Sequence, residues 1–358
     1  MKTRSRVSSI GLDVDGHEFR AVQLIQANGE ERVVAWAVFP RREQAESEIT
    51  LGHPDADELK WAGEILERRG FVGKAISITA STADCSSHVL ELPPAQSGAP
   101  VEQLARMEIA RDRRCAPDEF QLGLWELPAK GRSQETLAVA CSQGVIDSTI
   151  ERFEHAGFVA VGMDLMELAM CRCGFHAKQS SIQRDPESAD TPAIETRLHI
   201  GWASSFAVIS LGETVVYVRR IEHGASSVWE QATGRYELSN RGADRVLTCF
   251  DGQTNTNELD RIQRSAWAGL ATQLANELDV AVAYVSHSYR MAPHGHIILS
   301  GYGVQHQVVR DQLDKKLGIP FRDAVPTALV NAIGSEREVQ RLATRLCLAY
   351  GLAARFDQ

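Results

Sequence analysis

The chain opens the same way twice. Ile10, Leu12 and Val14 alternate along one strand, Asp15-Gly16-His17 makes a turn, and Phe19, Val22 and Leu24 lie on the return strand. The pattern restarts in the second half. Leu198–Trp202 and Phe206–Ser210 form a second pair, and after the turn Leu211-Gly212-Glu213 the stretch Thr214–Ile221 adds a third strand. This is not a solenoid repeat, because no short unit recurs along the chain. It is two β-hairpins, each founding one half of the molecule, and 358 residues suffice for about two domains.

The stretches between the hairpins alternate helix and strand, which makes the class α/β. Val33–Phe39 reads as a third strand. Asp57–Arg69 reads as a helix with Leu59, Ala62 and Leu66 on one face, Asp57 as its cap and Gly70 as its stop. Ala75–Ala80 is a short buried strand. Pro93, Pro94 and Pro100 bracket a loop before a helix at Val101–Arg114, closed by Pro117. Strands at Leu122–Leu127 and Leu137–Ser142, joined by a polar turn at Lys130–Gln134, and a helix at Gly144–Ala156 complete a compact insert. A strand at Val159–Asp164 and a helix at Leu165–His176 follow, and the aperiodic polar run Lys178–Thr191 is the expected linker. In the second half Asn257–Arg290 is a long amphipathic helix, and His296–Ser300 is a strand leading into Gly301-Tyr302-Gly303. A helix then runs to Lys316 with Gly318 past its end, and Ile319–Arg322 is a further strand. Ser335 and Glu338 make a capping box for a last helix lined by Val339, Leu342, Leu346 and Ala349.

Charge narrows the function. A net charge of −9 disfavours a general nucleic-acid binder but leaves room for one local anion site. The seven cysteines are scattered and form no CxxC pair, so they read as reduced core thiols. No signal-type apolar run follows the basic start at Lys2, Arg4 and Arg6, and the longest apolar helical stretch, Leu346–Ala354, is too short to cross a bilayer. The expectation is a cytoplasmic protein.

Three loops carry the chemistry: Asp13-Val14-Asp15-Gly16-His17, Gly201-Trp202-Ala203-Ser204-Ser205 and Gly301-Tyr302-Gly303. Small residues at hairpin turns let backbone N–H groups approach phosphate, and a Gly-x-Gly turn opening a helix adds the positive end of a helix dipole. Asp13 would then orient a hydrated Mg²⁺. Taken singly, each loop also reads as an ordinary turn. Their order and spacing are what mark a nucleotide site.

In that order the loops resemble those of the actin/Hsp70/sugar-kinase superfamily. The segments SSIGLDVDGHEFRAVQL, VEQLARMEIARDRRCAPDEFQLGLWEL, RLHIGWASSFAVISLGETVVYVRRIEHG, HIILSGYGVQHQVVRDQLDKKLGIP and LATRLCLAYGLAAR are similar to successive parts of type IV pilus assembly proteins of the PilM kind. The resemblance covers nearly the whole chain. It implies an actin-like, ribonuclease H-like fold of two lobes around a nucleotide cleft. Residues 1–82, 159–196 and 337–358 would form the first lobe, 83–158 an inserted subdomain of the FtsA-related type, and 197–336 the second lobe. It implies an ATP and Mg²⁺ site, weakened or lost, at Asp13, Gly16, His17, Gly201, Ser204, Ser205, Asp244, Gly301 and Gly303. It also implies a scaffold beneath an inner-membrane pilus or type II secretion-like platform. The expected partner is a short cytoplasmic peptide of a bitopic PilN-like protein, met near the insert, with Arg106, Glu108, Arg111, Arg113 and Arg114 as candidate contacts. Contacts with other platform components and self-association belong to the same expectation.

Several positions depart from the family pattern. Gly and Ser residues usually follow the first Asp-hydrophobic pair, and here the turn is Asp15-Gly16-His17, whose carboxylate would face phosphate. His199 stands where the second hairpin usually carries Asp, Trp202 is bulky where the family is small, and Ala243-Asp244-Arg245-Val246-Leu247 replaces an Ala-Glu-x-x-Lys helix. His199 reads either as a half-buried strand residue or as a cationic phosphate contact. No convincing catalytic base appears, so slow hydrolysis at most is expected. An active kinase or ATPase and an FtsA-like filament former are the alternatives. His294-Gly295-His296 reads as a surface turn rather than a metal site.

Overall fold

The computed structural model describes residues 6–355 apart from 28–29, 43–53, 81–84, 95–96, 129–134, 182–191, 250–256, 291 and 335. The expected turn at Lys130–Gln134, most of the expected linker and the capping Ser335 therefore lie outside the described residues.

The first lobe is built from β1 (Arg6–Val7), β2 (Ile10–Val14), β3 (Glu18–Ala27), β4 (Glu30–Pro40), α1 (Ala56–Arg68) and β5 (Ala75–Ala80). Then come β6 (Cys85–Glu91), α2 (Val101–Arg113), β7 (Phe120–Glu126), β8 (Glu135–Ser142) and α3 (Gln143–His155). The chain returns through β9 (Val159–Leu165) and α4 (Met166–Ser181). The second lobe holds β10 (Ile194–Ile200), β11 (Ser205–Leu211), β12 (Thr214–Ile221), α5 (Ser226–Glu230) continuing into a π-helical turn at Gln231–Arg235, α6 (Asn240–Thr248) and α7 (Asn257–Ser288). β13 (His294–Gly301), α8 (Gln307–Leu317), β14 (Phe321–Asp323), α9 (Thr327–Ile333), α10 (Glu336–Leu342) and α11 (Cys347–Ala353) complete the described chain.

Each opening hairpin founds a sheet. In the first, β2 pairs antiparallel with β3 and parallel with β5, and β9 adds beyond β5. In the second, β10 pairs antiparallel with β11 and parallel with β13, and β14 adds beyond β13. A separate antiparallel sheet, ordered β6-β8-β7, stands between β5 and β9 in sequence. Parallel pairs need crossover helices, which is why both main sheets are covered by helices. In the second lobe α7 supplies that cover with Trp267, Leu270, Leu274 and Leu278 buried against Leu198, Ile200 and Leu299.

Two helices run between the lobes. Leu348 and Leu352 of α11 and Ala169 and Met170 of α4 share one cluster with Phe206 and Val208 of the second lobe. On its other side α11 packs Ala349 and Ala353 against Val22 and Leu24 of β3. The chain thus ends its described course wedged into the joint. Close approach needs small residues there. A Cβ on Gly351 would stand 1.8 Å from the Ala169 carbonyl, and one on Gly11 2.0 Å from that of Ala349.

The main expectations for helices and strands hold, with local corrections. The cap of α1 is Asp55, whose Oδ1 accepts from the Glu58 N–H at 2.7 Å, rather than Asp57. The last helix is broken at 343–346 into α10 and α11. His294-Gly295-His296 begins β13 instead of making a turn. β1, β6, α5 and α9 lie outside the expected elements; β1, α5 and α9 are short, and the Ser, His and Glu residues of β6 dilute its hydrophobic pattern.

Packing at Gly351 leads to a paired test. Gly351→Ala should destabilise the fold by about 3 kcal/mol, at the upper end for overpacking, because the obstacle is backbone. Gly269→Ala, on an open stretch of α7 with nothing within 4 Å, should stabilise it by up to about 1 kcal/mol. Urea unfolding of the two variants measures both.

Candidate functional site

The three loops do converge. The first hairpin turn, the second hairpin turn and the turn after β13 meet between the lobes, but side chains occupy the meeting point. Arg20 of β3 lies directly opposite Asp13 of β2 in the ladder. It is 1% exposed, and its Nε stands 2.9 Å from Asp13 Oδ2. The same guanidinium pairs with Asp15 and lies 3.7 Å from Glu18 Oε1. Glu18 is also the partner of Arg345, from the break between α10 and α11. Tyr302 closes the group, donating from Oη to Asp15 Oδ2 at 3.1 Å, with both guanidiniums 5.4 Å from its ring centre.

Asp15 organises the turn as well as the charge. Its Oδ1 accepts the N–H groups of His17 at 2.7 Å and Glu18 at 2.9 Å. Burial raises the pKa of this carboxyl, but Arg20 and the two amides outweigh it and hold the group below the ordinary range. Asp13 goes the other way. Burial, only partly offset by Arg20, pushes it up to about 6.

The second lobe contributes an aromatic wall. The His17 ring stacks on Trp202 with centroids 4.6 Å apart and planes 10° from parallel, and Trp229 and Tyr302 flank the pair. A Cβ on Gly16 would lie 2.5 Å from Trp202 Cδ1, so the hairpin touches the indole through glycine. His17 Nε2 is 3.5 Å from Asp244 Oδ1 on α6, a second bridge between the lobes.

The other expected residues have structural neighbours. Ser205 donates from Oγ to the His223 carbonyl at 2.7 Å, while Ser204 is half-buried beside it. Gly201 packs against the Ser204 carbonyl, and a Cβ there would stand 2.4 Å from it. Gly301 and Gly303 have φ of 92° and 67°, the left-handed region that glycine enters without cost. At Gly303 the Trp267 ring also fills the space of a side chain. His199 is fully buried rather than half-buried. Its Nδ1 is 2.9 Å from Ser300 Oγ, and burial, with Arg20 nearby, lowers its pKa to about 3. It is neutral, which removes the cationic phosphate contact as a reading.

A groove lies elsewhere, beside the three-stranded sheet. A cavity of ≈ 300 Å³ is walled by Ser87, Trp125 and Val139 of that sheet, by Leu165 at the end of β9 and Glu167 at the start of α4, and by Val218 of β12. Burial raises the Glu167 carboxyl, with Arg220 opposing. The candidate arginines sit away from this groove. Arg106 donates to the carbonyls of Pro117 at 3.0 Å and Phe120 at 2.8 Å. Arg113 donates to Ser86 Oγ at 3.1 Å and to the Ala140 carbonyl at 3.2 Å. Both therefore tie α2 to its own sheet. Arg111 pairs with Glu108, and Arg114, at φ 54°, ends α2 exposed.

Sequence reasoning missed Arg20, Glu18, Arg345 and Trp229. A signal for the first was present: an arginine in the otherwise inward-facing run EFRAVQL needs a buried acid, and three acids precede it within the same hairpin.

Two lobes founded on hairpins, with helices crossing between them over a cleft, define an α/β actin-like fold. The sequence profile of the type IV pilus assembly protein PilM family matches residues 11–356, and the chain belongs to that family. Among solved structures it is similar to the PilM-PilN type IV pilus biogenesis complex, at TM-score 0.73 and 18% identity over 98% of each chain. It is more distantly similar to the ethanolamine utilization protein EutJ of Carboxydothermus hydrogenoformans, at TM-score 0.48 and 10% identity over 98% of this chain and 91% of that one. MreB5 of Spiroplasma citri bound to ADP gives TM-score 0.44 and 10% identity, covering 98% and 95% of the two chains. A search of curated proteins gave no match. Among the described residues no helix is long and apolar enough to cross a membrane.

The two displaced pKa values oppose each other. Asp13, raised above 3.8, favours the fold at low pH and loses that contribution as pH rises towards about 6. His199, lowered from 6.5, favours the fold at high pH and loses that contribution as pH falls towards about 3. Between about pH 4 and 6 the two slopes cancel. His199→Asn removes one of them. Its stability relative to wild type should then fall with rising pH across that window by up to about 1.4 kcal/mol per unit, read from urea midpoints at stepped pH.

Proposed function

We propose that this chain is an adaptor of an inner-membrane pilus or secretion platform, with a nucleotide cleft filled by its own side chains. The observation that carries the reading is Arg20, buried where the first hairpin would otherwise meet phosphate and already bound to Asp13 and Asp15. A magnesium–triphosphate does not fit these residues. The carboxylate expected to hold the metal faces a guanidinium, and Trp202 lies against the turn whose amides would hold phosphate. An incoming anion would also face Asp15 and Glu18.

Partner binding belongs to the groove beside the three-stranded sheet. Its lining is largely apolar, with Glu167 and Arg220 as its charged groups. That suits a short segment of mixed apolar and polar character, and the likeness to a structure containing PilN favours the cytoplasmic peptide of a PilN-like bitopic protein.

Calorimetry tests the cleft. Mg-ATP should give no saturable heat with wild type or with Asp13→Ala at concentrations up to about 1 mM, a binding free energy weaker than about 4 kcal/mol. Saturable micromolar binding lost in Asp13→Ala would overturn the filled-cleft reading. For the groove, Val139→Glu places a charge on its apolar wall and should weaken capture of the PilN-like cytoplasmic peptide at least about tenfold. Arg111→Ala, on the exposed face of α2, should leave capture unchanged.

A further inference from the structure

Cys85 and Cys141 face each other across the β6–β8 ladder, as direct partners in its antiparallel register. Direct partners project to the same face of a sheet, with Cα atoms about 4.5–5.5 Å apart. That falls inside the about 4.4–6.8 Å that a disulfide spans. The face is the one that lines the groove, where Cys85 stands with Ser87, Leu137 and Val139. Cys85 is half-buried and so in reach of solution, while Cys141 is 7% exposed behind it. β6 is the edge of its sheet, held by β8 alone. Other cysteines lack this combination. Cys173 and Cys347 are neighbours but 0% exposed in the core between the lobes.

We propose that Cys85 and Cys141 form an oxidisable dithiol on the groove wall, which closes to a disulfide by exchange with a low-molecular-weight disulfide such as oxidised glutathione. The Cys85 thiolate attacks one sulfur of the oxidant. That S–S bond breaks, a mixed disulfide forms at Cys85, and one glutathione thiolate leaves. The Cys141 thiolate then attacks the Cys85 sulfur and expels the second glutathione. Two protein thiols lose two protons and two electrons, and the glutathione disulfide gains them as two thiols. In a reducing compartment the pair stands as the dithiol seen here, and an oxidising pulse closes it. Closure ties the edge strand β6 covalently to β8. This chemistry does not depend on what the groove binds.

The test treats the full chain with oxidised glutathione and maps unreduced peptides by mass spectrometry. Wild type should lose two hydrogens and yield a Cys85–Cys141 linked peptide pair, reversed by dithiothreitol. In Cys141→Ser the second step is blocked, and a single glutathionyl group should accumulate on Cys85. Circular dichroism confirms that the variant is folded; if it is not, Cys85→Ser replaces it and should take up no glutathione at Cys141. Backbone amides of residues 85–91 should exchange more slowly in the oxidised wild type than in the reduced one. A persistent glutathionyl adduct on wild-type Cys85, no reaction at either cysteine, or unchanged exchange along β6 would each overturn the proposal.

Discussion

The joint between the lobes is organised around one buried cation. Removing a guanidinium from water costs several kcal/mol unless charge and hydrogen bonds replace the solvent. Arg20 recovers that cost from carboxylates within its own hairpin, Asp13 across the ladder and Asp15 in the turn, with Glu18 at the start of β3. The acids then need more positive charge and donors than Arg20 supplies. Arg345 answers Glu18 from the break between α10 and α11, and Tyr302 answers Asp15 from the turn after β13. Three segments remote in sequence are thereby required at one point. The net attraction of such a buried network is modest, but loss of one member strands the others.

Local conformation follows from the same requirement. Tyr302 reaches Asp15 because Gly301 and Gly303, both at positive φ, turn the chain around it. Arg345 reaches Glu18 from the break in the closing helix at residues 343–346. Gly16 lets the hairpin lie against Trp202, and the stacking of His17 on that indole then joins the lobes face to face. Asp15, His17 and Trp202 act together here. Asp15 fixes the turn, His17 crosses the gap, and Trp202 receives it.

Much of this architecture was legible because alternation, helical periodicity and glycine stops are local signals. The two hairpins, the long helix α7 and the inserted strands β7 and β8 could be read from them. So could the meeting of the three loops, although only through their order and resemblance. What could not be read was the content of the meeting point. Glu18 and Arg345 are separated by 327 positions, and nothing in either neighbourhood announces the pair. His199 illustrates the same limit. Its strand position was clear, but its neutrality depends on depth of burial and on Arg20, both fixed only by packing. The arginines of α2 looked like a charged face, yet Arg106 and Arg113 turn back to carbonyls of the insert.

On the proposed reading, a filled cleft has a mechanical consequence for the groove. Its walls come from three places: the small sheet, the start of α4 in the first lobe, and β12 in the second. A groove with walls on two lobes changes width whenever the lobes rotate, so a nucleotide that opened and closed the cleft would also open and close the groove. Here the lobes are held by a stacked ring pair, a His17–Asp244 bridge and a buried charge network, all made of the chain's own atoms. In the proposed function, where the groove grips a peptide, the holding geometry would then be set by folding rather than by a ligand. Residual adjustment falls to the edge strand β6, which is the element that the Cys85–Cys141 pair would lock.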